Sequence, residues 1–410
     1  MSPQPALQPI LNHLDSTREA REAAYRWFHQ HPELSMQEVQ TTQRIVQELE
    51  AAGISFTQPS ETGVVATIEN GPGPVVALRA DIDALPVRET SGKEYASTAT
   101  QVDEATGTEY PVAHACGHDA HLISLLGALE AFHAHRDAWS GTLVGVFQPG
   151  EETASGARAM VEAGIAEAIP RPDVYLGQHV LSSLPGGTVG TQVGPVLSQA
   201  FSVKVTVHGT GSHGSMPEKS VDPVLLASTI VTRLHHVVSR EITAAETAVL
   251  TVGAINAGFK SNIIPDSATL LINTRAYSQE VSDHLKEAIE RIVRAECLAA
   301  RSPREPEFEY YDVYPLTSND EAVTERVRTA FEAHFGDEVT DLGRVPASED
   351  FSVIPDTLGV PYSYWGLGGF ASYPDAPGNH SPEFAPDLQP TLDRGAEALI
   401  VAAGAWLVRN

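Results

Sequence analysis

Thr142-Leu143-Val144-Gly145-Val146-Phe147 runs directly into Gln148-Pro149-Gly150-Glu151-Glu152. The first six residues are short, apolar and rich in β-branching, which predicts a buried strand; the next five form a turn carrying two adjacent carboxylates. Around this strand, residues 121–134 and 156–163 have helical periodicity, and 174–177 reads as another strand that ends at Gln178-His179. Strands alternating with helices predict an α/β layer with a mainly parallel sheet. Further upstream, helices are expected at 16–29 and 36–52, the second ended by Gly53. Strands at 63–69 and 74–80 are joined by Asn70-Gly71-Pro72-Gly73, which reads as a hairpin, and 88–111 reads as a polar loop.

The pattern changes near Val193. Strands at 201–208, 248–255, 268–277 and 307–314, with amphipathic helices at 222–239 and 280–300, give the order β-α-β-β-α-β. That order predicts a ferredoxin-like α+β unit inserted into the α/β layer. Residues 194–312 are assigned to the insertion, and 1–193 with 313–410 to the surrounding domain. The α/β character resumes after the insertion, with helices at 320–335 and 388–408 flanking a strand at 360–366.

Composition narrows the function. Against 53 Asp+Glu stand 26 Lys+Arg, a formal charge of 26 − 53 = −27. No Lys/Arg cluster is present to displace counterions from a phosphate backbone, so no nucleic-acid partner is expected. The first residues lack a basic, apolar leader pattern, and no window approaches the roughly 18 apolar residues of a membrane span; a cytoplasmic protein without membrane contact is expected. Two cysteines, Cys116 and Cys297, are too few for a disulfide framework, so Cys116 needs burial or chemistry to explain it.

Chemistry concentrates in Ala113-His114-Ala115-Cys116-Gly117-His118-Asp119-Ala120-His121, just before a helix. Three histidines, a cysteine and an aspartate so close together suit zinc or a similar metal. A cluster of packed polar residues, or a Cys116 nucleophile with His118 as base, are the alternatives. Glu151 and Glu152 could divide their work, one facing a metal and the other a water, as metal-assisted hydrolysis requires. With Gln178-His179 and the loop Gly378-Asn379-His380, these segments can meet at the carboxyl ends of the strands, where sites in open α/β sheets gather.

Leu78-Arg79-Ala80-Asp81-Ile82-Asp83-Ala84-Leu85-Pro86, His114-Ala115-Cys116-Gly117-His118-Asp119, Gln148-Pro149-Gly150-Glu151-Glu152 and His380 together resemble the M20 metallopeptidase family, in its amidohydrolase/aminoacylase branch. The resemblance extends from Phe28-His29-Gln30-His31-Pro32-Glu33-Leu34 to the C-terminal helix. It implies a zinc-peptidase-like catalytic domain with an inserted lid and dimerisation domain. It also implies a centre of two divalent ions, zinc foremost, with manganese, cobalt or nickel as alternatives. Cys116, His118, Glu152, His179 and His380 are the implied ligands, Glu151 the general base, and Asp83 the acid that orients a ligand histidine; Asp81 and Glu349 are weaker candidates for such support. In the insertion, His213 would polarise the scissile carbonyl, reaching the other subunit's site in dimeric relatives. Asn262 and Arg275 would hold the substrate's carboxylate, a task that an arginine fork fits.

Three positions depart from the family pattern without removing a ligand: Ala113, Ser212 and Glu218. The aromatic stretch Tyr364, Trp365, Phe370 and Tyr373 reads either as an acyl pocket or as packing. The implied function is hydrolysis of the amide bond of N-acyl amino acids, N-acyl-glutamine-like substrates among them, by a homodimer or larger homo-oligomer built through the insertion. The alternatives are an N-acetyl-diaminopimelate deacetylase or dipeptidase on the same scaffold, and a non-catalytic binding protein for acylated amino acids.

Overall fold

The computed structural model describes residues 5–408. Gly141–Gln148, the apolar strand that runs into Glu151 and Glu152, lies inside an eight-stranded sheet. It pairs in parallel with Val75–Asp81 and antiparallel with Val64–Asn70. On the far side of Val75–Asp81 follow Val174–Pro185 and Tyr362–Phe370, both in parallel, then Val189–Thr191 and Val339–Asp341; Ser55–Thr57 closes the opposite edge. The central strands are buried on both faces, as parallel sheets covered by helices require.

Two local expectations need correction. Val64–Asn70 and Val75–Asp81 are not a paired hairpin, because Gly141–Gln148 lies between them. Crossing one strand takes about 10 Å, which a four-residue connection can span. The turn signal thus marks the reversal but not the neighbour. Nor does the fifth strand stop at Gly177: it continues to Pro185, paired in parallel with Tyr362–Phe370. What ends at Gly177 is its other ladder, with Val75–Asp81. Beyond that point the strand has one open edge, and His179 lies there.

His118–Ala134 is buried almost all round. It lies against Val75–Asp81 and Val174–Pro185 and is covered by the helices Gln8–Gln30 and Leu388–Leu407, which explains an apolar surface with no polar stripe. The aromatic stretch resolves as packing: Tyr364, Trp365 and Phe370 are buried in the strand Tyr362–Phe370, with Tyr364 against Phe351 and Trp365 against Phe331, while Tyr373 is exposed.

The chain divides into two compact units. One comprises the described residues up to Val196, Ser318–Val345 and those from Asp350 onward; the other is Leu197–Thr317 with Pro346–Glu349. The second unit is an antiparallel sheet in the order Ala248–Asn256, Ser267–Ala276, Gln199–His208, Glu307–Tyr314, the ferredoxin-like arrangement. Ser267–Ala276 alternates strictly between buried and half-buried residues. Its buried face packs on the helices Pro223–Arg240, capped by Asp222, and Gln279–Ala299, capped by Ser278. Among the described residues, no helix is long and apolar enough to cross a membrane.

Candidate metal centre

Local backbone geometry brings the first unit's polar residues together. Cys116 and His118 flank Gly117, whose φ of 82° suits glycine and where a Cβ would collide with a methyl of Val180. Gly150, at φ 57°, turns the chain from the strand into Glu151 and Glu152. His380 takes φ 69° on its loop, a conformation costing a residue with a Cβ about 1–3 kcal/mol. Its N–H donates to the Ala115 carbonyl at 2.7 Å, tying that loop to the Cys116 segment.

One ligand atom each from Cys116, His118 and His179 lies within 4.8 Å of the others, and the same holds for Cys116, Glu152 and His380, and for His118, Glu151 and Glu152. Cys116 Sγ is 3.5 Å from His179 Nε2, and Glu152 Oε1 is 3.4 Å from His380 Nε2. All five expected ligands therefore converge, with Cys116 in two of the groups.

Hydrogen bonding fixes which ring nitrogen of His118 and of His179 faces the cluster. A backbone carbonyl can only accept, so His118 Nδ1 donates to Asp83 O at 2.9 Å, with Asp83 Oδ1 at 3.1 Å. His118 Nε2 is then left buried without a hydrogen-bond partner, as is Glu152 Oε1, 3.8 Å away. His179 Nδ1 likewise donates to Val180 O at 2.8 Å, which turns its Nε2 towards Cys116. Buried polar atoms without partners are costly. Ligand atoms converging around a thiol fit divalent cations once deprotonated, and the donor set of imidazole, thiolate and carboxylate suits zinc-like ions. Asp83 is further held by Ser35 Oγ at 2.6 Å and by the Glu152 N–H at 3.0 Å.

The electrostatics point the same way. Burial, with the negative charge of Asp83 adding to it, pushes Glu152 up to about 8. Burial and the Glu152 charge push the Cys116 thiol up to about 12. Burial disfavours charge on His118, yet Asp81 and Asp83 outweigh it and hold its pKa well above the usual value. These shifts favour protons on the ligand set, and ligation of a cation would release them.

A polar framework that the sequence reading did not assign lies behind these residues. Arg79, fully buried, donates to Asp81 Oδ2 at 2.6 Å, to Gln148 Oε1 at 2.9 Å and to Asp350 Oδ1 at 3.3 Å. An arginine inside the apolar run Val75–Asp81 was the available signal, since a buried guanidinium needs acidic partners. Glu38 accepts from the Gly150 N–H at 2.8 Å, and no sequence signal marks it. His114 is buried with neither ring nitrogen hydrogen-bonded, and burial depresses it to about 4.

The remaining candidates lie in the inserted unit but not together: His213 and Asn262 adjoin the Ser267 end of Ser267–Ala276, and Arg275 lies near its other end. His213 is exposed on a two-residue strand paired with Ile263, and the Gly214 N–H donates to the Asn262 carbonyl at 2.8 Å. The Ser215 N–H donates to His213 Nδ1 at 3.2 Å, so the ring proton sits on Nε2. Arg275, half-buried on Ser267–Ala276, donates to Ser348 Oγ at 2.8 Å. Glu349 is buried.

Residues 77–403 match the model of peptidase family M20/M25/M40. The chain belongs to this family. It is 34% identical to an N-acetylcysteine deacetylase of Bacillus subtilis, over 92% of each chain. With IAA-amino acid hydrolase ILR1-like 4 of Arabidopsis thaliana it shares 35% identity over 88% of this chain and 79% of the plant protein. The crystal structure of a dinuclear metal-binding M20 peptidase from Bacillus subtilis superposes with a TM-score of 0.77 at 27% identity, covering 95% of this chain and 98% of that one. This member of the family is a metal-dependent amidohydrolase, and its centre fits two divalent ions.

Proposed function

We propose that this amidohydrolase removes the acyl group from N-acyl amino acids, releasing a carboxylic acid and a free amino acid. The observation that carries the reading is the pair of buried polar atoms without hydrogen-bond partners, His118 Nε2 and Glu152 Oε1, converging with Cys116. The names of the bacterial deacetylase and the plant hydrolase both describe N-acylated amino acids as substrates. In this proposal Cys116, His118, Glu152, His179 and His380 would hold two divalent ions, with zinc the preferred metal. The ions supply Lewis acidity to the attacking water and to the substrate carbonyl.

The chain's own residues do the rest. Glu151 takes the proton from water and returns it to the departing amine nitrogen, the two halves of one general acid–base cycle. Asp83 holds His118 Nδ1–H and so keeps Nε2 available as a ligand. His213, with its proton on Nε2, donates to the carbonyl oxygen as negative charge develops there. Asn262 and Arg275 bind the free carboxylate of the amino acid. A homodimer through the inserted unit completes the proposal, supported by the edge strand Ala248–Asn256, which exposes Val249 and Ile255.

The test is amine release from short, long and aromatic acyl groups on one amino acid, and from one acyl group on several amino acids, glutamine included. Each is assayed before chelation, after chelation, and after adding back zinc, manganese, cobalt or nickel. Hydrolysis lost on chelation and restored by metal supports the reading. Cleavage confined to dipeptides or to N-acetyl-diaminopimelate moves the substrate class, and tight metal without any amide cleavage overturns the catalytic role.

A further inference from the structure

His121, like His114, is a buried histidine of the cluster with no task in the proposed mechanism, and unlike His114 it has both ring nitrogens engaged. It follows His118 by one helical turn, and its ring centroid lies 5.6 Å from that of His118 and 4.6 Å from that of His179. Atoms of Asp81, His121 and His179 also fall within 4.8 Å of one another, a spacing that would suit another cation. The hydrogen bonds exclude His121 from that use. The Val180 N–H donates to His121 Nε2 at 2.8 Å, so that lone pair is taken. The ring proton therefore sits on Nδ1 and is donated to Asp81 Oδ1 at 2.5 Å. Asp81 is fixed in turn by Arg79.

The peptide between His179 and Val180 needs such an anchor. The ladder with Val75–Asp81 stops at Gly177, so on that edge no strand receives the Val180 N–H. The Val180 carbonyl accepts from His179 Nδ1 and, at 3.2 Å, from Asn379 Nδ2. His121 thus holds the backbone on which the His179 side chain leans.

We propose that His121 is a positioning residue for the metal centre: it ties the His179–Val180 peptide to Asp81 and thereby aims His179 Nε2 into the cluster with Cys116 and His118. This rests on the ligand set proposed above. His121→Leu removes both hydrogen bonds, and His121→Asn is too short to bridge both partners. His121→Gln offers one donor and one acceptor and can retain both.

Ion content under a competing chelator, together with the absorption of the cobalt-loaded protein, reads the outcome in full-length protein, with folding checked by circular dichroism. Affinity for one of the two ions should fall about 10–100-fold in the Leu and Asn variants, with the other ion unaffected and the Gln variant close to wild type. His179→Ala should lose that same ion. If His179→Ala loses an ion while both the Leu and Asn variants bind two as tightly as wild type, the role of His121 is wrong and the ligand set stands. If His179→Ala itself binds two ions with wild-type affinity, the ligand set is wrong. Equal weakening of both ions in the Asn and Gln variants marks a general structural role and also overturns the proposal. Should the Leu variant not fold, the Asn and Gln variants decide the question.

Discussion

His118 and His179 in the first unit and His213 in the inserted one are held by opposite hydrogen bonds. The first two give their Nδ1 protons to backbone carbonyls and turn Nε2 towards the ligand cluster. His213 receives a backbone N–H on Nδ1 and keeps Nε2 as a donor. The first arrangement is made for binding a cation, the second for meeting an oxygen that gains negative charge. Burial divides in the same way: His118 is sealed inside the first unit, whereas His213 is exposed. One unit builds a charge-dense, cross-braced centre; the other presents donors on a loop.

If that division is real, changes in the two units should separate metal binding from turnover. Glu151→Gln should lower kcat by about 10²–10⁴-fold or more while both ions stay bound, read by amine release and metal analysis. Wild-type turnover in that variant would remove Glu151 from the mechanism. His213→Ala should lower kcat by about 10²–10³-fold with metal affinity unchanged. Loss of metal from that variant would break the comparison, because His213 would then belong to the first class. Chelation should destabilise the first unit by about 2.7 kcal/mol for each ion removed, relative to protein held at a hundredfold excess of metal over each Kd. Hydrogen exchange would show it as lost protection around Cys116–His121 and His179, with the strands of the inserted unit unchanged.

The smallest expected effect depends on pH. Below about pH 8 the metal-free protein carries protons on Glu152, on the Cys116 thiol and on His118 Nε2, and all must leave for ligation. Metal uptake at pH 7 should therefore release protons, and affinity should rise with pH by about tenfold per unit for each proton released. Calorimetry in buffers of different ionisation enthalpy measures this; uptake without proton release would contradict the assigned ligands.

Much of the framework was legible in the sequence because it depends on local patterns. The β-α-β-β-α-β order follows from periodicity in Gln199–Tyr314, and the family follows from short motifs such as His114-Ala115-Cys116-Gly117-His118-Asp119. Neighbours across the sheet were not legible: the turn Asn70-Gly71-Pro72-Gly73 cannot tell which strand will slip between its two flanks. Nor could residue type separate His114, His118 and His121. In the structure one has no hydrogen-bond partner at its ring nitrogens, one leaves a single ring nitrogen without a partner, and one has both nitrogens satisfied. That distinction rests on backbone groups as distant in sequence as Val180 and Asp83. Arg79 and Glu38 were missed for the same reason, since their partners Asp350 and Gly150 come from remote segments.

The central claim is that the buried cluster around Cys116 is a two-ion hydrolytic centre. Its most direct test is to strip the protein of metal, add zinc back in measured equivalents, and follow hydrolysis of an N-acyl amino acid together with bound zinc. Activity that is absent without metal and rises to a plateau at two ions per chain is the expected result. Undiminished activity in metal-free protein, or two tightly bound ions with no amide cleaved, would contradict it.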